Sequence, residues 1–177
     1  MDRRNNVLAW NHLGHALLAG HLAPEAPDRP GDRPKLTRML FLDEQYRELY
    51  ANWPDQAGLA VAALRLVADR HPDDRSPNEF IGQLTMRSDE FASPWAQHPV
   101  RAYTSGVKHL RHPLVGAMEL SFENLVIPGT SGRHVIAYTA EPGSPSEAAL
   151  RLLGSATAPV TRDPAAVRRG VATSATR

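Results

Sequence analysis

The sequence Met118-Glu119-Leu120-Ser121-Phe122-Glu123 alternates apolar with polar side chains, and this alternation decides the fold class. Successive side chains of a β-strand point to opposite faces, so the pattern predicts a strand that is buried on one side only. Leu125-Val126-Ile127 extends the strand, and turn-forming residues follow at 128–132. A further strand is predicted over residues 134–139, antiparallel to the first.

Strand patterns also occur before this stretch. Residues 100–105 alternate in the same way, and residues 107–112 run into a turn between Pro113 and Gly116. We therefore expect three or four antiparallel strands in this half of the chain. The short apolar segment Val7-Leu8-Ala9-Trp10 is a candidate for a separate first strand.

Helical patterns occupy the segments before the predicted strands. Asn11 is a candidate N-cap for a helix that ends near His21, and Asp43 can cap a new turn after the apolar residues 36–42. Residues 55–70 have apolar side chains at helical spacing over a stripe wide enough to be mostly buried, which predicts a long helix.

Three serines mark further predicted helix starts. Ser76 and Ser144 each precede a proline and are followed three residues later by glutamate, and Ser88 precedes two acidic residues. Pro94 is expected to kink or restart the third of these helices, with Ser93 as a second cap. Together these patterns predict an α+β fold in which helices cover one side of an antiparallel sheet.

The chain has 177 residues and a net charge of +1. We expect one domain over residues 1–154 and a disordered tail, rich in Ala, Thr and Arg, over residues 155–177. The tail has four arginines and one acid, a net charge of +3, which leaves −2 for the domain. A DNA-binding domain normally has a basic surface, so the domain is not expected to bind DNA directly.

The composition also limits the cellular setting. The chain has no cysteine, which excludes disulfides, thiolate metal sites and cysteine nucleophiles. No apolar run approaches the roughly 18–20 residues of a membrane span, and the first apolar segment is too short for a signal peptide. We expect a soluble, cytoplasmic protein with no membrane contact.

Catalytic and metal-binding motifs are absent from the sequence. It has no G-x-S-x-G, phosphate-binding loop, dinucleotide-binding or H-E-x-x-H motif, so we predict no enzyme activity, no cofactor and no catalytic residue. Of the eight histidines, His109 and His112 lie three apart on a predicted strand and point to opposite faces, so no metal site is predicted. His112 before Pro113 is expected to hold a turn by hydrogen bonding. Catalysis by His98 or His112 with a carboxylate is the remaining enzymatic alternative.

Aromatic side chains are spread over nearly every predicted element. Most of them must form the core, but helices on one face of a sheet can also enclose an apolar pocket with a few polar groups. The candidates for lining such a pocket are Trp10, Phe41, Trp53, Leu64, Phe80, Trp95, Arg101, Tyr103, Leu120, Phe122 and Tyr138.

An ordered set of motifs connects these segments: Val7-Leu8-Ala9-Trp10-Asn11, Met39-Leu40-Phe41-Leu42-Asp43, Tyr50-Ala51-Asn52-Trp53, Arg70-His71-Pro72-Asp73-Asp74, Leu84-Thr85-Met86-Arg87-Ser88-Asp89-Glu90-Phe91, Trp95-Ala96-Gln97-His98-Pro99-Val100-Arg101, Gly106-Val107-Lys108-His109-Leu110-Arg111-His112-Pro113-Leu114-Val115-Gly116 and Tyr138-Thr139-Ala140-Glu141-Pro142-Gly143-Ser144-Pro145-Ser146. From about residue 5 to residue 154, this set resembles the MmyB-like ligand-binding domain of actinobacterial helix-turn-helix regulators of the xenobiotic-response-element (XRE) type.

The resemblance implies a PAS-like fold and a pocket for a small, largely apolar effector, for example a fatty-acid-like molecule. In such regulators a helix-turn-helix domain binds promoter DNA, and the ligand-binding domain changes its affinity. No segment before Val7 is long enough to form that domain, so we expect DNA contact only through a helix-turn-helix domain that this chain lacks.

The alternative interpretation is a PAS-like module for dimerisation or protein interaction that binds no ligand. Its interface would be the apolar stripe from Leu59 to Val67, and a homodimer is the partner it predicts. A fully packed interior with a large exposed apolar patch would favour this alternative, whereas a cavity would favour the sensor.

Overall fold

The computed structural model describes residues 1–3, 5–70, 72–97, 104–130 and 132–158. These residues form seven α-helices, one short 3₁₀ turn at Ala26–Asp28 and three β-strands. The elements in chain order are α1 (His12–Ala19), α2 (Leu36–Leu42), α3 (Glu44–Glu48), α4 (Trp53–Arg70), α5 (Arg75–Arg87), α6 (Asp89–Ala96), β1 (Ser105–His112), β2 (Gly116–Val126), β3 (His134–Thr139) and α7 (Pro145–Thr157).

The three strands form one antiparallel sheet with β2 in the middle. Lys108 of β1 pairs with Leu120 of β2, and Phe122 of β2 pairs with Tyr138 of β3. Gly116 closes the β1–β2 turn with φ at 79°, a conformation that costs glycine little. The predicted strand alternation over 100–103 lies outside the described residues.

Helices cover one face of the sheet. Leu110, Met118 and Leu120 of the inner face are buried in the same core as Phe91 of α6 and Leu153 of α7. The intervening side chains of β2 point outward and are exposed. The alternation that predicted a strand buried on one side is therefore confirmed, as is the α+β fold class.

Four of the predicted helix caps are present. The side chain of each capping residue accepts a hydrogen bond from a backbone N–H three residues on, which satisfies a donor that the first turn leaves unpaired. The four capping residues are Asn11, Asp43, Ser88 and Ser144.

The predicted cap at Ser76 is wrong. Asp74 caps α5 instead, and its carboxylate accepts from the backbone N–H of Ser76 at 3.1 Å. Helix α5 therefore begins at Arg75, one residue before the predicted cap. Asp is as good a cap as Ser, and here the aspartate lies two residues earlier.

The predicted restart at Pro94 is also wrong. Helix α6 runs unbroken from Asp89 to Ala96, and Ser93 does not cap a new helix. Proline inside a helix costs about 3 kcal/mol or more. We infer that the packing of Phe91 on Trp95, with ring centroids 5.6 Å apart, offsets part of this cost.

The ends of the domain differ from the predictions in two ways. Residues 7–10 form no strand, and only Asn6 makes an isolated β-bridge, with Lys35. Pro34 precedes Lys35 and has no N–H to donate, so the pairing cannot extend as a ladder. Helix α7 continues through Thr157, so residues 155–157, predicted as part of the tail, are helical.

A substitution in β2 tests whether only one face of the sheet is buried. We expect Leu120→Ala to lower the free energy of unfolding by about 2–5 kcal/mol, because it leaves a cavity at a fully buried position. Val107→Ala on the exposed face should cost about 1 kcal/mol or less. Urea denaturation of both variants measures the difference, and similar losses would contradict the assigned faces.

A pair of serine substitutions tests the start of α6. Ser88→Ala should cost about 1 kcal/mol of stability because it removes the cap of this helix. Ser93→Ala should be close to neutral because Ser93 is an exposed position inside the helix. Thermal unfolding of the two variants gives the comparison. An equal loss of stability in Ser93→Ala would contradict the unbroken helix and support a second helix start at Ser93.

Candidate functional site

A cleft of about 480 Å³ separates α4 from the inner face of the sheet. Helix α4 packs against α2, α5 and α6, whereas β2 packs against α7. The cleft lies between these two packed regions, and a hydrogen bond between Lys108 of β1 and Gln56 of α4 crosses it.

One wall of the cleft is an apolar stripe of α4. Its members recur at spacings of three, four and seven residues, so they lie on one side of the helix. They are Leu59, Ala60, Ala63, Leu64, Leu66 and Val67. The short side chains of Ala60 and Ala63 project little into the space, which helps to keep it open.

The opposite wall comes from all three strands. Lys108 of β1, Phe122 and Asn124 of β2, and Ile136 and Tyr138 of β3 line it. Strand pairing sets Phe122 beside Tyr138 and Asn124 beside Ile136, so these side chains occupy the inner face of the sheet. The two walls are mostly apolar, with a few polar groups.

Lys108 is the cationic group of the sheet wall. Its Nζ donates a hydrogen bond to Oε1 of Gln56 at 2.5 Å and lies 4.6 Å from the centre of the Phe122 ring. Among the described residues no carboxylate forms an ion pair with it. Burial lowers the pKa of Lys108 to about 8, because the charged amine loses contact with water.

Three tyrosines surround the same end of the cleft. The hydroxyls of Tyr46 and Tyr50 are 2.8 Å apart and share a hydrogen bond. Burial is the main cause that raises the pKa of Tyr46, Tyr50 and Tyr138, and the charge of a neighbouring phenol adds to it, while the hydrogen bond with Tyr50 partly lowers the pKa of Tyr46. All three therefore remain protonated at neutral pH, and each can donate a hydrogen bond.

The first residues of the chain also line the cleft. Met1 exchanges two backbone hydrogen bonds with His134, at 2.8 and 3.1 Å, and Arg3 forms an ion pair with Asp74 at 3.2 Å. The Asn5 side chain accepts from the N–H of Thr37 at 2.9 Å. These contacts connect the segment to β3, to the start of α5 and to α2.

One polar atom in the lining has no partner. The Oδ1 atom of Asn124 is buried and accepts no hydrogen bond from the described residues. A buried acceptor without a donor costs free energy, and a ligand that carries a donor would remove that cost.

The structure separates the eleven candidate pocket residues into three groups. Leu64, Phe122 and Tyr138 line the cleft. Arg101 and Tyr103 lie outside the described residues. The remaining six fill or flank the core instead of the cleft, and they are Trp10, Phe41, Trp53, Phe80, Trp95 and Leu120.

The packing of the aromatic rings explains the difference. The Phe41 ring contacts the rings of Trp53 and Phe91 edge-on, at 5.8 and 5.1 Å. Trp53 also donates its indole N–H to the carbonyl of Leu40 at 2.8 Å. Large rings that pack against each other in this way bury their area in the core instead of in the cleft.

Lys108, Gln56, Tyr46 and Tyr50 are lining residues that sequence reasoning missed. One signal was available: the chain has only two lysines, and Lys108 shares strand parity with Leu110 and His112, which face inward. A lysine on the buried face of a strand is unusual enough to indicate a site.

The two histidines of β1 make contacts outside the cleft. Nδ1 of His112 accepts from the N–H of Leu114 at 3.2 Å, so its Nε2 carries the proton and donates to the carbonyl of Ala16 at 3.0 Å. The predicted role of His112 in the turn is confirmed. His109 lies on the exposed face, 3.4 Å from Glu119.

Two searches of the described residues bear on other classes of site. No three His, Asp or Glu side chains converge there as a metal site would require. None of the helices in that part of the chain combines the length and apolar character of a membrane span.

The lowered pKa of Lys108 predicts a pH dependence of stability. Between about pH 8 and 9 the folded protein has released this proton while the unfolded lysine, with its pKa of 10.5, still holds it. The free energy of unfolding should therefore rise with pH over this window. Closer to pH 10 the three buried tyrosines, which ionise there only in the unfolded chain, oppose this effect. Lys108→Met should remove the rise, and Arg111→Met on the exposed face of the same strand should keep it. Urea titrations at several pH values measure the slope, and an equal slope in Lys108→Met would contradict the prediction.

Comparison with known proteins agrees with this geometry. A search of curated proteins finds no match to the chain. The family model of the MmyB-like transcription regulator ligand binding domain matches residues 1–153. A ligand-binding domain of this kind fits a ligand-sensing regulatory role, and the resemblance seen in the sequence is confirmed. The chain belongs to the family of MmyB-like transcription regulator ligand-binding domains.

Proposed function

We propose that this domain senses a small, largely apolar, fatty-acid-like effector that lies between α4 and the sheet. The observation that carries the proposal is the cleft itself, with its apolar α4 wall and with Lys108 on its sheet wall. Its volume of about 480 Å³ falls within the range of roughly 300–1,000 Å³ of typical ligand pockets.

The apolar wall supplies affinity for an alkyl chain. Each CH₂ group removed from water contributes about 0.8 kcal/mol, so an alkyl chain of moderate length gains several kcal/mol before the entropic costs of association are subtracted. Leu59, Leu66 and Val67 are only partly buried in the protein, and an occupant would cover them further.

The polar end supplies orientation. A carboxylate placed beside Lys108 would form a charge-assisted hydrogen bond with an amine that pairs with no protein carboxylate among the described residues. The hydroxyl of Tyr138 is a second donor in the same lining. An acid would therefore enter with its head group at the strands and its chain along α4.

Binding of an effector would be transmitted through the elements that enclose the cleft. Helix α4 and residues 1–3 and 5 form part of its lining, and α4 also packs against α2, α5 and α6. An effector that contacts these elements favours the arrangement in which they close on it, which is a shift in population.

The family match supports a proposal about the regulatory partner. We propose a cytoplasmic, PAS-like sensor of an actinobacterial XRE-type regulator, in which a helix-turn-helix domain outside these 177 residues contacts promoter DNA. The mildly acidic charge of residues 1–154 supports this division of roles.

A second candidate function is dimerisation without a ligand. Leu125 of β2 and its paired residue Val135 of β3 are exposed on the outer face of the sheet, with exposed Ile127 just beyond the end of β2, and an exposed apolar patch is typical of an interface. The stripe from Leu59 to Val67 does not serve as a free surface in the way the sequence suggested. Part of it lines the cleft, and Val61, Ala62 and Leu64 are buried.

A thermal-shift experiment with decanoate tests the sensor. At about 100 times the dissociation constant, a ligand adds about 2.7 kcal/mol, which corresponds to a rise in Tm of about 5 °C or more for a domain of this size. Ala63→Trp should abolish the rise because it fills the cleft. Ala148→Trp, on an exposed face of α7, is the matched control and should keep it.

Two outcomes would overturn the sensor proposal. One is the absence of a Tm shift with decanoate, decanol and longer homologues. The other is an equal shift in Ala63→Trp, which would place the ligand elsewhere. A dimer in sedimentation experiments that ignores all these compounds would support the second candidate function.

A further inference from the structure

We propose that Lys108 captures an aldehyde-bearing alkyl effector as a reversible imine inside the cleft. The proposal rests on the proposed function, since the alkyl chain of the aldehyde would occupy the same space along α4. It adds a covalent step that a fatty acid does not need. It also assigns that step to one side chain.

The first argument is the position of the amine. Nζ of Lys108 lies 4.6 Å from the centre of the Phe122 ring and 5.4 Å from that of Tyr50, so aromatic surface flanks it. The side chain lines the cleft and is mostly shielded from solvent. An aldehyde whose chain lies along α4 would bring its carbonyl carbon to this end.

The second argument is the partner of the amine. The hydrogen-bond acceptor at 2.5 Å is the neutral amide of Gln56. A neutral acceptor does not hold the lysine in its charged form as a carboxylate would, and among the described residues no salt bridge does so. The amine can therefore lose its proton to water and expose a lone pair.

The consequence for reactivity is large. With a pKa of about 8, roughly a tenth of the Lys108 side chains are neutral at pH 7. An ordinary lysine, with its pKa near 10.5, is neutral in only about three of ten thousand molecules. The nucleophilic form is thus about 300 times more abundant at Lys108, a difference that its lower intrinsic nucleophilicity only partly offsets.

The chemistry is balanced without an oxidant or a further reactant. The Nζ lone pair of the neutral amine forms a bond to the carbonyl carbon, and the carbonyl oxygen takes up a proton to give a carbinolamine. Loss of that hydroxyl with a second proton releases one water and leaves a C=N bond. An apolar lining disfavours the return of water, so the imine persists while the alkyl chain remains bound.

The other lysine provides the internal comparison. Lys35 lies at the N-terminal end of α2, where its Nζ is 4.4 Å from the centre of the Phe80 ring. Lys35 does not line the cleft. A reaction that depends only on an amine near an aromatic ring would label both lysines, whereas capture in the cleft would favour Lys108.

Reductive trapping tests the proposal on the intact chain. The protein is incubated with decanal at pH 7, reduced with cyanoborohydride and digested, and the modified peptides are mapped by mass spectrometry. The expected product carries the mass of decanal less one oxygen on Lys108. We expect Lys108 to be labelled at least about tenfold faster than Lys35, and excess decanoate to slow the labelling by competition. Equal rates at the two lysines, or labelling confined to Lys35 or the N-terminal amine, would overturn the proposal.

Matched variants give a second readout. Lys108→Arg should lose the adduct, and Lys35→Arg should keep it at the wild-type rate. If decanoate raises the Tm but no adduct forms at Lys108, the imine proposal fails and the sensor stands. If neither decanoate nor decanal has an effect, the proposed function fails as well. Mapping in the wild-type chain decides the outcome even if Lys108→Arg does not fold.

Discussion

Helix α4 has more apolar surface than its neighbours cover, and the rest of the structure depends on this excess. Val61, Ala62 and Leu64 are buried, and the helix packs against α2, α5 and α6. Part of the stripe from Leu59 to Val67 instead lines the cleft, across from the strands. Because interiors normally pack densely, a gap of this size is costly unless something else fills it.

Much of the fold could be predicted from local patterns. The alternation around Leu120 predicted the central strand, and a capping side chain such as Ser88 predicted a helix start, because both depend on neighbours in sequence. One error arose where two nearby residues can both cap a helix, as Asp74 and Ser76 can. The other arose where tertiary packing tolerates a proline inside a helix, as at Pro94.

The cleft was harder to predict residue by residue. Its lining depends on how far α4 stands from the sheet, which no periodicity encodes. Sequence reasoning chose large aromatic residues such as Phe41 and Trp53, but large rings bury most area where helices meet, and they are found there. The lining instead combines apolar side chains of α4 with one phenylalanine and three tyrosines around Lys108, whose desolvation cost the fold tolerates and a bound head group would offset.

The placement of the indole rings has an optical consequence. None of the three tryptophans is among the residues that line the cleft, and each has a fixed contact in the helical layer. Trp53 lies under the guanidinium of Arg47, and Trp95 lies under that of Arg65. The fluorescence of the tryptophans will therefore report the unfolding of the helices and change little when a ligand binds. The ultraviolet absorbance of Tyr50 and Tyr138, which line the cleft, will respond to a bound ligand directly.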